Sequence, residues 1–387
     1  MRVLHVGKYY PPFAGGMERF LADLLPALQA QGIATAALVH DERRDRWGQR
    51  PGPVGAPAIY RAPCHGQLLY TPLSPAFPFW LQRAIREFRP DLLHLHLPNT
   101  SAFWALLMPA ARRLPWVVHW HADVVASMID TRLATAYRLY RPFEQRLLAI
   151  SKAIIATSPT YLAASAALMP WRDRCHITPL GLDANRIATP DPAMQQRAAA
   201  LWGQAAFRVL AIGRLTYYKG HDVLIRAVAE LAESRTLIVG TGDQRDRLRA
   251  LIDSLSLGNQ VLLAGFQTEA DLNALLESCD VLCLPSLERT EAFGLVLLEA
   301  MRFGKPVIVS DIAGSGVGWV VRAAGHGLLV PTNDPVALAV ALRQMQCGSK
   351  LRQQLGRAGS IALTEQFDIQ PVAAKVSALY RQVLIHR

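Results

Sequence analysis

The sequence predicts an α/β protein with two doubly wound parallel-sheet domains in tandem. Apolar runs rich in β-branched residues recur along the chain, and a helical pattern follows each of them. Such continuous runs are typical of parallel strands that helices cover on both faces. The length of 387 residues suits two cores better than one. Ligands of such sheets bind at the carboxyl ends of the strands, so we expect the site between two facing domains.

Ten strands are predicted, five in each half of the chain. In order they are RVLHVG, TAALVH, DLLHLHL, WVVHWHA, AIIATS, FRVLAIG, TLIVGTG, QVLLAGF, DVLCLPS and PVIVSD. Pro, Asp and Asn interrupt the pattern near TPLGLDANRIATPDPAMQQRAAALWG. We therefore expect a Rossmann-like N-terminal domain over residues 1–183 and a Rossmann-like C-terminal domain over 184–368. A last helix within 369–387 carries an apolar stripe that must pack on other residues.

Composition excludes several classes of protein. Hydrophobic residues make up 51% and charged residues 18%, as in a globular chain rather than a disordered one. No apolar run reaches the roughly 18 residues of a membrane span, and the start MRVLHVGKYYPP lacks a signal-peptide pattern. The five cysteines are scattered and odd in number, so we expect no disulfide framework, and Cys279 and Cys283 are predicted to be core thiols. A cytoplasmic location is expected.

The net charge of +11 is unevenly distributed. Residues 1–200 hold 22 Lys and Arg against 13 Asp and Glu, a net of +9, and residues 201–387 have a net of +2. A basic half suggests an anionic partner, and the chain has no zinc-finger or RNA-binding signature. We therefore expect an anionic membrane surface on the inner face of the cell membrane rather than nucleic acid. A solvated face with surplus arginines is the alternative.

The first predicted strand runs into the glycine-containing loop of KYYPPFAGGMERFLADLL. Gly15 and Gly16 stand just before a helix start, where glycines let the backbone approach a ligand closely. Free amides at a helix start favour an anion. The pattern is neither GxGxxG nor a P-loop, so a tight strand-to-helix turn remains an alternative.

Two further loops carry candidate residues. In GRLTYYKGHDVL, Arg214 and Lys219 lie between a strand and a helix, where both side chains could neutralise phosphate, and surface charge is the alternative. In HWHADVV, His119 and His121 point to one face of a strand. Zinc would need a third ligand, which is not nearby in the sequence, so no metal site is predicted. His121 is the candidate that faces a ligand, and a hydrogen-bonded strand-end histidine is the alternative.

The segment ERTEAFGLVLLEAM places a carboxylate inside an apolar stretch. Glu291 has a simple explanation as an acid at a helix start, but Glu299 does not, because ionised groups are rarely buried alone. AFGLVLLEAM is predicted to be a helix that is apolar nearly all round, so the eight residues from Glu291 to Glu299 place Glu299 about 12 Å along its axis. That is about the span from the sugar to the ribose of a nucleotide-diphospho-sugar. The amides of Phe293, Gly294 and Leu295 would then bind an anion between them.

These motifs together resemble those of the retaining glycosyltransferases of family 4, which have the GT-B fold. EAFGLVLLE is similar to the family's E-x7-E motif, GRLTYYKG to its Arg and Lys-Gly phosphate loop, PPFAGGMERF to its Gly-Gly loop and HWHAD to its histidine loop. The resemblance implies that Glu299 binds the ribose and that Glu291, beside Phe293 and Gly294, contacts the donor sugar.

The same resemblance implies the remaining roles. Arg214 and Lys219 hold the diphosphate, Gly16 lets the backbone touch the phosphate, and His121 lies near the transferred sugar. The final helix crosses back to the N-terminal domain. No Asp-x-Asp triplet occurs in the chain, which agrees with a family that uses no metal or other cofactor. Transfer would proceed on one face of the sugar with retention, and no enzymic nucleophile is evident.

Donor and acceptor are the open part of the prediction. The block SDIAGSGVGWVVRAAGHGLLVPTNDPVAL resembles bacterial O-antigen and exopolysaccharide enzymes that use GDP-mannose or GDP-rhamnose. The acceptor would be a saccharide or a lipid-linked saccharide. Donors based on UDP are the alternative within the family. A nucleotide-sugar epimerase and a non-catalytic nucleotide-sugar-binding protein are the alternatives outside it.

Overall fold

The computed structural model describes residues 1–13, 15–41, 56–68, 71–124 and 131–385. It divides into two compact units, Met1–Gly181 together with Ile369–Arg387, and Leu182–Asp368. The boundary lies two residues before the one that the sequence pattern suggests. Ala14, in the predicted glycine loop, lies outside the described residues.

The first unit is built on a seven-stranded parallel sheet with the order β3-β2-β1-β6-β7-β8-β9. Its strands are β1 Arg2–Val6, β2 Ala34–Asp41, β3 Ala58–Pro63, β6 Leu92–Leu97, β7 Trp116–Trp120, β8 Ala153–Ala156 and β9 Cys175–Ile177. A separate antiparallel pair consists of β4 Gln67–Leu68 and β5 Thr71–Pro72.

Helices and short turns of helix connect these strands. They are α1 Gly16–Ala30, α2 Phe77–Phe88, α3 Trp104–Leu107, α4 Pro109–Arg112, α5 Thr131–Ile150, α6 Pro159–Ala164 and, at the end of the chain, α15 Ile369–Ile385. Two 3₁₀ segments lie at Thr100–Phe103 and Met169–Arg174.

The second unit has a six-stranded parallel sheet with the order β12-β11-β10-β13-β14-β15. Its strands are β10 Phe207–Ile212, β11 Ser234–Val239, β12 Val261–Gly265, β13 Val281–Leu284, β14 Val307–Ser310 and β15 Gly327–Val330. Its helices are α7 Pro192–Trp202, α8 His221–Val228, α9 Arg245–Ser254, α10 Glu269–Ser278, α11 Leu295–Arg302, α12 Gly316–Ala324, α13 Pro335–Cys347 and α14 Ser349–Gln366. A 3₁₀ turn lies at Tyr217–Lys219.

Both sheets have the doubly wound order that the sequence predicts. In each of them the chain reverses its direction of strand addition beside the first strand, so a topological switch point lies between β1 and β6 and another between β10 and β13. All ten predicted strands are present. The unpredicted ones are short or lie at sheet edges, where half-exposed strands lose the continuous apolar pattern.

Local sequence signals start several of the helices. Ser158, Asp191 and Asp334 each cap a helix through the side chain, and a proline follows each of them at the first helical position. The side-chain oxygen satisfies an amide of the first turn, and proline loses nothing there because its missing N–H would have no partner.

The last helix belongs to the first compact unit. The apolar stripe that the sequence shows in this helix therefore packs within that unit. Val372, Val376 and Tyr380 of α15 are buried. Gln31, just after α1, donates a hydrogen bond to the carbonyl of Gln370 over 3.3 Å. Among the described residues, no helix has the length and hydropathy that a membrane span requires.

Candidate functional site

Two loops of the second unit meet at its switch point. One follows β10 and contains Lys219 and Gly220, and the other follows β13 from Pro285. Gly220 has a left-handed φ of 63°, and a Cβ there would lie 2.0 Å from the carbonyl oxygen of Pro285. Leu287 also donates a backbone hydrogen bond to Tyr218 over 2.7 Å. Only glycine permits this approach, which brings the two loops together.

An ion pair joins the loops. Nζ of Lys219 lies 2.5 Å from Oε2 of Glu291, and each side chain is 12% exposed. Ser286 donates a second hydrogen bond to the same oxygen over 3.3 Å. Burial is the largest single effect on Lys219 and lowers its pKa, but the charge attraction and hydrogen bond of Glu291, together with Tyr218, outweigh burial and leave the pKa above its ordinary value. Lys219 is therefore a fixed cation at the carboxyl edge of the sheet.

Arg214 lies in the same loop as Lys219 but is exposed. Its guanidinium is 3.5 Å from the hydroxyl of Tyr218, at the outer limit of a hydrogen bond. Tyr217 donates to Glu288 over 2.9 Å and so links the β10 loop to the β13 loop a third time. The structure thus brings Arg214, Lys219 and Glu291 into one pair of contacting loops.

The E-x7-E segment differs from the prediction in one respect. The sequence predicts a helix from Ala292, whereas α11 begins at Leu295, because Gly294 adopts a left-handed φ of 74° at the helix N-cap. From Leu295 to Glu299 the helix advances four residues, which is a rise of about 6 Å. The predicted 12 Å along one helix is therefore wrong. Glu299 is buried, with 5% of its surface exposed.

The loop after β14 holds the backbone just before α11. Ser315 donates a hydrogen bond to the carbonyl of Glu291 over 2.5 Å, and Gly316 donates to that of Ala292 over 2.8 Å. The Phe293 ring is buried against Phe367, so only its backbone is offered to a ligand. The amides at the start of α11 remain available for an anion, as at any helix start.

The Gly15–Gly16 loop of the first unit has a residue that the sequence did not single out. A Cβ on Gly15 would lie 2.1 Å from a carboxylate oxygen of Glu18, which is buried. Gly15 caps α1 in an extended conformation, and Gly16 is the first helical residue. Glu18 therefore places its own negative charge at the helix start where an anion was predicted. The sequence feature that could have identified Glu18 is its place as an acid at the third position of the helix.

Five buried histidines occupy one face of the first sheet. His5 of β1 lies opposite His94 of β6, and His96 of β6 lies opposite His119 of β7. His121 follows β7 directly, and its ring stacks on His119 with centroids 4.4 Å apart. His119 and His121 do share a strand face, as predicted. The alternating pattern in DLLHLHL could have identified His94 and His96 as two residues on one face.

These imidazoles are held neutral by burial. Burial lowers the pKa of His121 and that of His5 to about 3. The pKa values of His94, His96 and His119 also fall well below the ordinary value for the same reason. His94 shares a 2.5 Å hydrogen bond with the hydroxyl of Tyr380 on α15.

The fold supplies the third histidine that the sequence appeared to lack beside His119 and His121. The nearest ligand atoms of His96, His119 and His121 lie within 4.8 Å of one another. Their ring planes are nearly parallel, at 9° for His119 and His121 and 12° for His96 and His119. Ring nitrogen lone pairs lie in the ring plane, so those of parallel stacked rings do not converge on one ion. These three rings therefore do not fit a metal centre.

All five cysteines are free thiols. Cys279 and Cys283 are buried in the second unit, as predicted for core residues. Burial raises the pKa of Cys279 to about 12 and that of Cys283 further still. Neither forms a thiolate at neutral pH, which excludes a nucleophilic role.

The fold consists of two Rossmann-like units with charged loops at a switch point of the second, and comparison with known proteins defines the family. The family model "Glycosyl transferase 4-like domain" matches residues 15–181, and "Glycosyl transferases group 1" matches residues 195–361. Together they cover most of the chain. The protein belongs to family 4 of the glycosyltransferases and has the GT-B fold.

Two relatives align over almost the whole chain. O-antigen chain mannosyltransferase C of Escherichia coli is 30% identical and covers 99% of this chain and 99% of its own. D-rhamnosyltransferase WbpZ of Pseudomonas aeruginosa is 29% identical and covers 92% of this chain and 90% of its own.

Solved structures share the fold at lower identity. Sucrose-phosphate synthase of Thermosynechococcus elongatus superposes with a TM-score of 0.81 at 22% identity over the full length of both chains. WaaG, a glycosyltransferase of lipopolysaccharide biosynthesis, gives a TM-score of 0.70 at 20% identity over 97% of this chain and 99% of its own.

Proposed function

We propose that the protein is a retaining, metal-independent hexosyltransferase of bacterial polysaccharide or lipopolysaccharide biosynthesis. Its donor is GDP-mannose or GDP-rhamnose, and its acceptor is a saccharide or a lipid-linked saccharide. The observation that carries the proposal is the Lys219–Glu291 pair at the switch point beside the start of α11. A cation, a carboxylate and helix amides are the groups that a sugar diphosphate needs. The mannosyl and rhamnosyl relatives support the choice of the donor sugar.

The ion pair is suited to a donor that carries both phosphate and hydroxyl groups. An ammonium has three N–H donors, so Lys219 can keep Glu291 while it donates to a phosphate oxygen. The lysine then holds the Glu291 carboxylate in place to accept hydrogen bonds from sugar hydroxyls. Glu299, buried farther along α11, is proposed for the ribose hydroxyls.

The reaction proceeds on one face of the sugar. The bond from the anomeric carbon to the diphosphate oxygen breaks, and the acceptor oxygen bonds to that carbon from the same side. The acceptor proton passes to the departing phosphate oxygen. Arg214, Lys219 and the amides of Gly294 and Leu295 stabilise the negative charge that develops on the diphosphate. His121 meets the transferred sugar.

Nucleotide specificity is tested by a thermal-shift panel of GDP, UDP, ADP and dTDP. A nucleotide at 100 times its dissociation constant stabilises the folded protein by about 2.7 kcal/mol. We expect GDP to do so and the others to have little effect. A shift with UDP alone would instead identify a UDP-sugar donor, and no shift with any nucleotide would contradict a nucleotide-sugar enzyme.

Transfer itself is tested with labelled GDP-mannose and GDP-rhamnose, with and without a saccharide acceptor, in the presence of EDTA. We expect acceptor-dependent transfer, no loss of rate with EDTA, and a product with the anomeric configuration of the donor by NMR. Inversion of that configuration would contradict retention. Conversion of the donor without any acceptor would indicate an epimerase, and binding without turnover would indicate a non-catalytic protein.

An anionic membrane surface is proposed as a further partner of the first unit. Trp104 and Leu107 on α3 and Leu139 and Phe143 on α5 are exposed apolar side chains. Phe103, directly before α3, lies against Phe143 with ring centroids 5.8 Å apart, so the four belong to one region.

Basic residues lie close in sequence to this apolar region, at the end of α4 and along α5. The exposed arginines near it are Arg112, Arg113, Arg138, Arg141 and Arg146. Exposed apolar groups with surrounding arginines are typical of a surface that binds anionic lipid. We expect sedimentation with vesicles that contain phosphatidylglycerol but not with phosphatidylcholine alone. Phe143→Ser with Leu139→Ser should abolish it, and binding to neither vesicle would contradict the proposal.

A further inference from the structure

Tyr218 lies between the two cations that are proposed for the diphosphate. Its hydroxyl is 3.5 Å from a guanidinium nitrogen of Arg214, and its ring centroid is 5.8 Å from Nζ of Lys219. The Lys219 side chain also lies against Gly213, where a Cβ would be 3.0 Å from Cε and 3.1 Å from Nζ of the lysine. One phenol ring therefore adjoins both charged groups at the carboxyl edge of the second sheet.

The two cations are close enough to repel each other. Besides burial, which has the largest effect, the positive charge of Arg214 lowers the pKa of Lys219. Glu291 supplies one negative charge beside these two positive ones, so the three groups together carry a net positive charge. An anion with several oxygen atoms, such as a diphosphate, would relieve the repulsion when it binds there.

The contact with Arg214 determines how the Tyr218 hydroxyl can be used. A guanidinium has N–H donors and no acceptor, so the phenol oxygen can only accept a hydrogen bond from it. In the part of the chain that the structure describes, the Tyr218 O–H group donates to no side chain or carbonyl. Its proton is therefore available to an oxygen of a ligand that lies beside the two cations.

The neighbouring loop fixes the backbone of Tyr218. Its carbonyl accepts a hydrogen bond from Leu287 over 2.7 Å, and Tyr217–Lys219 form a 3₁₀ turn. Tyr217 is used differently, since its hydroxyl donates to Glu288 and its ring stands at 82° to that of Tyr218. The turn thus uses one tyrosine to join the loops and places the hydroxyl of the other beside the cations.

We propose that the Tyr218 hydroxyl is a third ligand of the diphosphate and donates a hydrogen bond to an oxygen of the phosphate that carries the sugar. The inference rests on the proposed function in taking Arg214 and Lys219 as the cations of that diphosphate. The sugar-bearing phosphate is chosen because Lys219 holds Glu291, whose carboxylate is proposed for the sugar hydroxyls. A hydrogen bond from a hydroxyl to an ionised oxygen is stronger than one between neutral groups.

Calorimetric titration of the full chain with GDP and with GMP tests the proposal without any transfer assay. Tyr218→Phe keeps the ring and removes only the hydroxyl. We expect it to weaken GDP binding about tenfold, because one hydrogen bond to a charged group is lost. GMP binding should stay within about twofold of the wild type, because GMP lacks the second phosphate. Equal GDP affinity in the variant and the wild type, or an equal loss for GDP and GMP, would overturn the proposal.

Tyr217→Phe is the matched control, because it removes the neighbouring hydroxyl, which bonds to Glu288. Any loosening of the two loops should weaken the binding of GDP and GMP alike. The ratio of the two dissociation constants should therefore keep its wild-type value. A change of that ratio as large as the change in Tyr218→Phe would count against a specific role for Tyr218 and overturn the proposal.

The Arg214→Ala background separates a direct ligand from a residue that only positions Arg214. If the Tyr218 hydroxyl binds the phosphate itself, adding Tyr218→Phe to Arg214→Ala should weaken GDP binding by a further factor of about ten. No further loss in the double variant would overturn the proposal, since the hydroxyl would then act only through the arginine.

Transfer rates distinguish a failure of this inference from a failure of the proposed function. Tyr218→Phe should lower kcat/KM for transfer about tenfold. If the wild type binds GDP but transfers no sugar, the proposed function fails, and the titrations still decide the role of Tyr218. If it binds UDP instead, titrations with UDP and UMP decide that role. A wild type that binds neither nucleoside diphosphate would overturn both.

Discussion

At the residue scale, the Lys219–Glu291 pair has the clearest consequence. We predict that Lys219→Ala keeps the fold but lowers kcat/KM about 10²–10³-fold, because one preorganised charge on the leaving group contributes about 3 kcal/mol to transition-state stabilisation. Lys350→Ala, which removes an exposed lysine of the same unit, is the control and should retain full activity. Steady-state transfer rates measure the difference, and near-wild-type turnover of Lys219→Ala would remove this lysine from the mechanism.

A second residue-scale prediction concerns Glu144, which is fully buried on α5. Burial raises the pKa of this carboxyl to about 7 from 4.5, although Tyr137 donates a hydrogen bond to it over 3.3 Å. The folded state thus holds a proton that the unfolded state releases above pH 4.5. Stability from this group is present below about pH 4.5 and is lost as the pH rises to about 7.

Glu144→Gln should therefore gain stability relative to the wild type as the pH rises from 5 to 8, by up to about 3 kcal/mol. Urea unfolding of both proteins at the two pH values measures this difference. Asp173→Asn, which changes an exposed acid of the same unit, should show no such dependence. A constant difference between Glu144→Gln and the wild type would mean that the carboxyl titrates normally.

At the element scale, the sequence was a good guide to strands and a poorer one to loops. Buried parallel strands have a pattern that a single sequence displays, because both faces must be apolar. The start of α11 was misplaced because AFG is as apolar as the helix that follows. The loop ends at Gly294, whose left-handed backbone precedes the helix. A pattern of hydrophobic residues gives no information on that backbone conformation.

The same limit applied to the candidate site. The loop residues Lys219 and Glu291 were singled out, but their direct contact depends on how two loops 72 residues apart approach each other. His5 and His96 were missed, because strand register rather than spacing places them beside His121. Patterns within one segment were readable from the sequence, whereas pairings between distant segments required the fold.

Gly220 provides the element-scale prediction. Gly220→Ala would place a methyl group 2.0 Å from the carbonyl oxygen of Pro285 and would add the cost of a left-handed backbone, about 1–2 kcal/mol. We expect a loss of at least about 2 kcal/mol of unfolding free energy, measured with urea, and weaker nucleotide binding. Gly258→Ala is the control, since no heavy atom lies within 4 Å of the position of its Cβ. Equal stability of the two variants would show that the loops separate at little cost.

At the scale of the whole molecule, the last helix of the chain folds with the first part of the sequence. The chain passes from the first unit through the second and then returns, so that α15 completes the unit in which the chain begins. One helix of the C-terminal sequence therefore contributes to the stability of the N-terminal sheet. It also contributes Tyr380, whose hydroxyl bonds to His94 of the buried histidines.

Truncation after Asp368 should change the unfolding of the first unit but not that of the second. It removes the buried side chains of Val372, Val376 and Tyr380, each of which contributes about 1.5–3 kcal/mol when fully buried, so the first unit should unfold at a lower temperature. The second unit keeps its whole sheet, Lys219 and Glu291, and should still be stabilised by GDP. Scanning calorimetry with and without GDP should show one unfolding transition at a lower temperature than in the full chain. A second transition should still move to a higher temperature when GDP is added. Tyr380→Phe, the control, removes only a hydroxyl and should cost about 1 kcal/mol. Loss of the GDP-responsive transition in the truncated chain would mean that nucleotide binding depends on α15 and that the second unit does not hold the donor by itself.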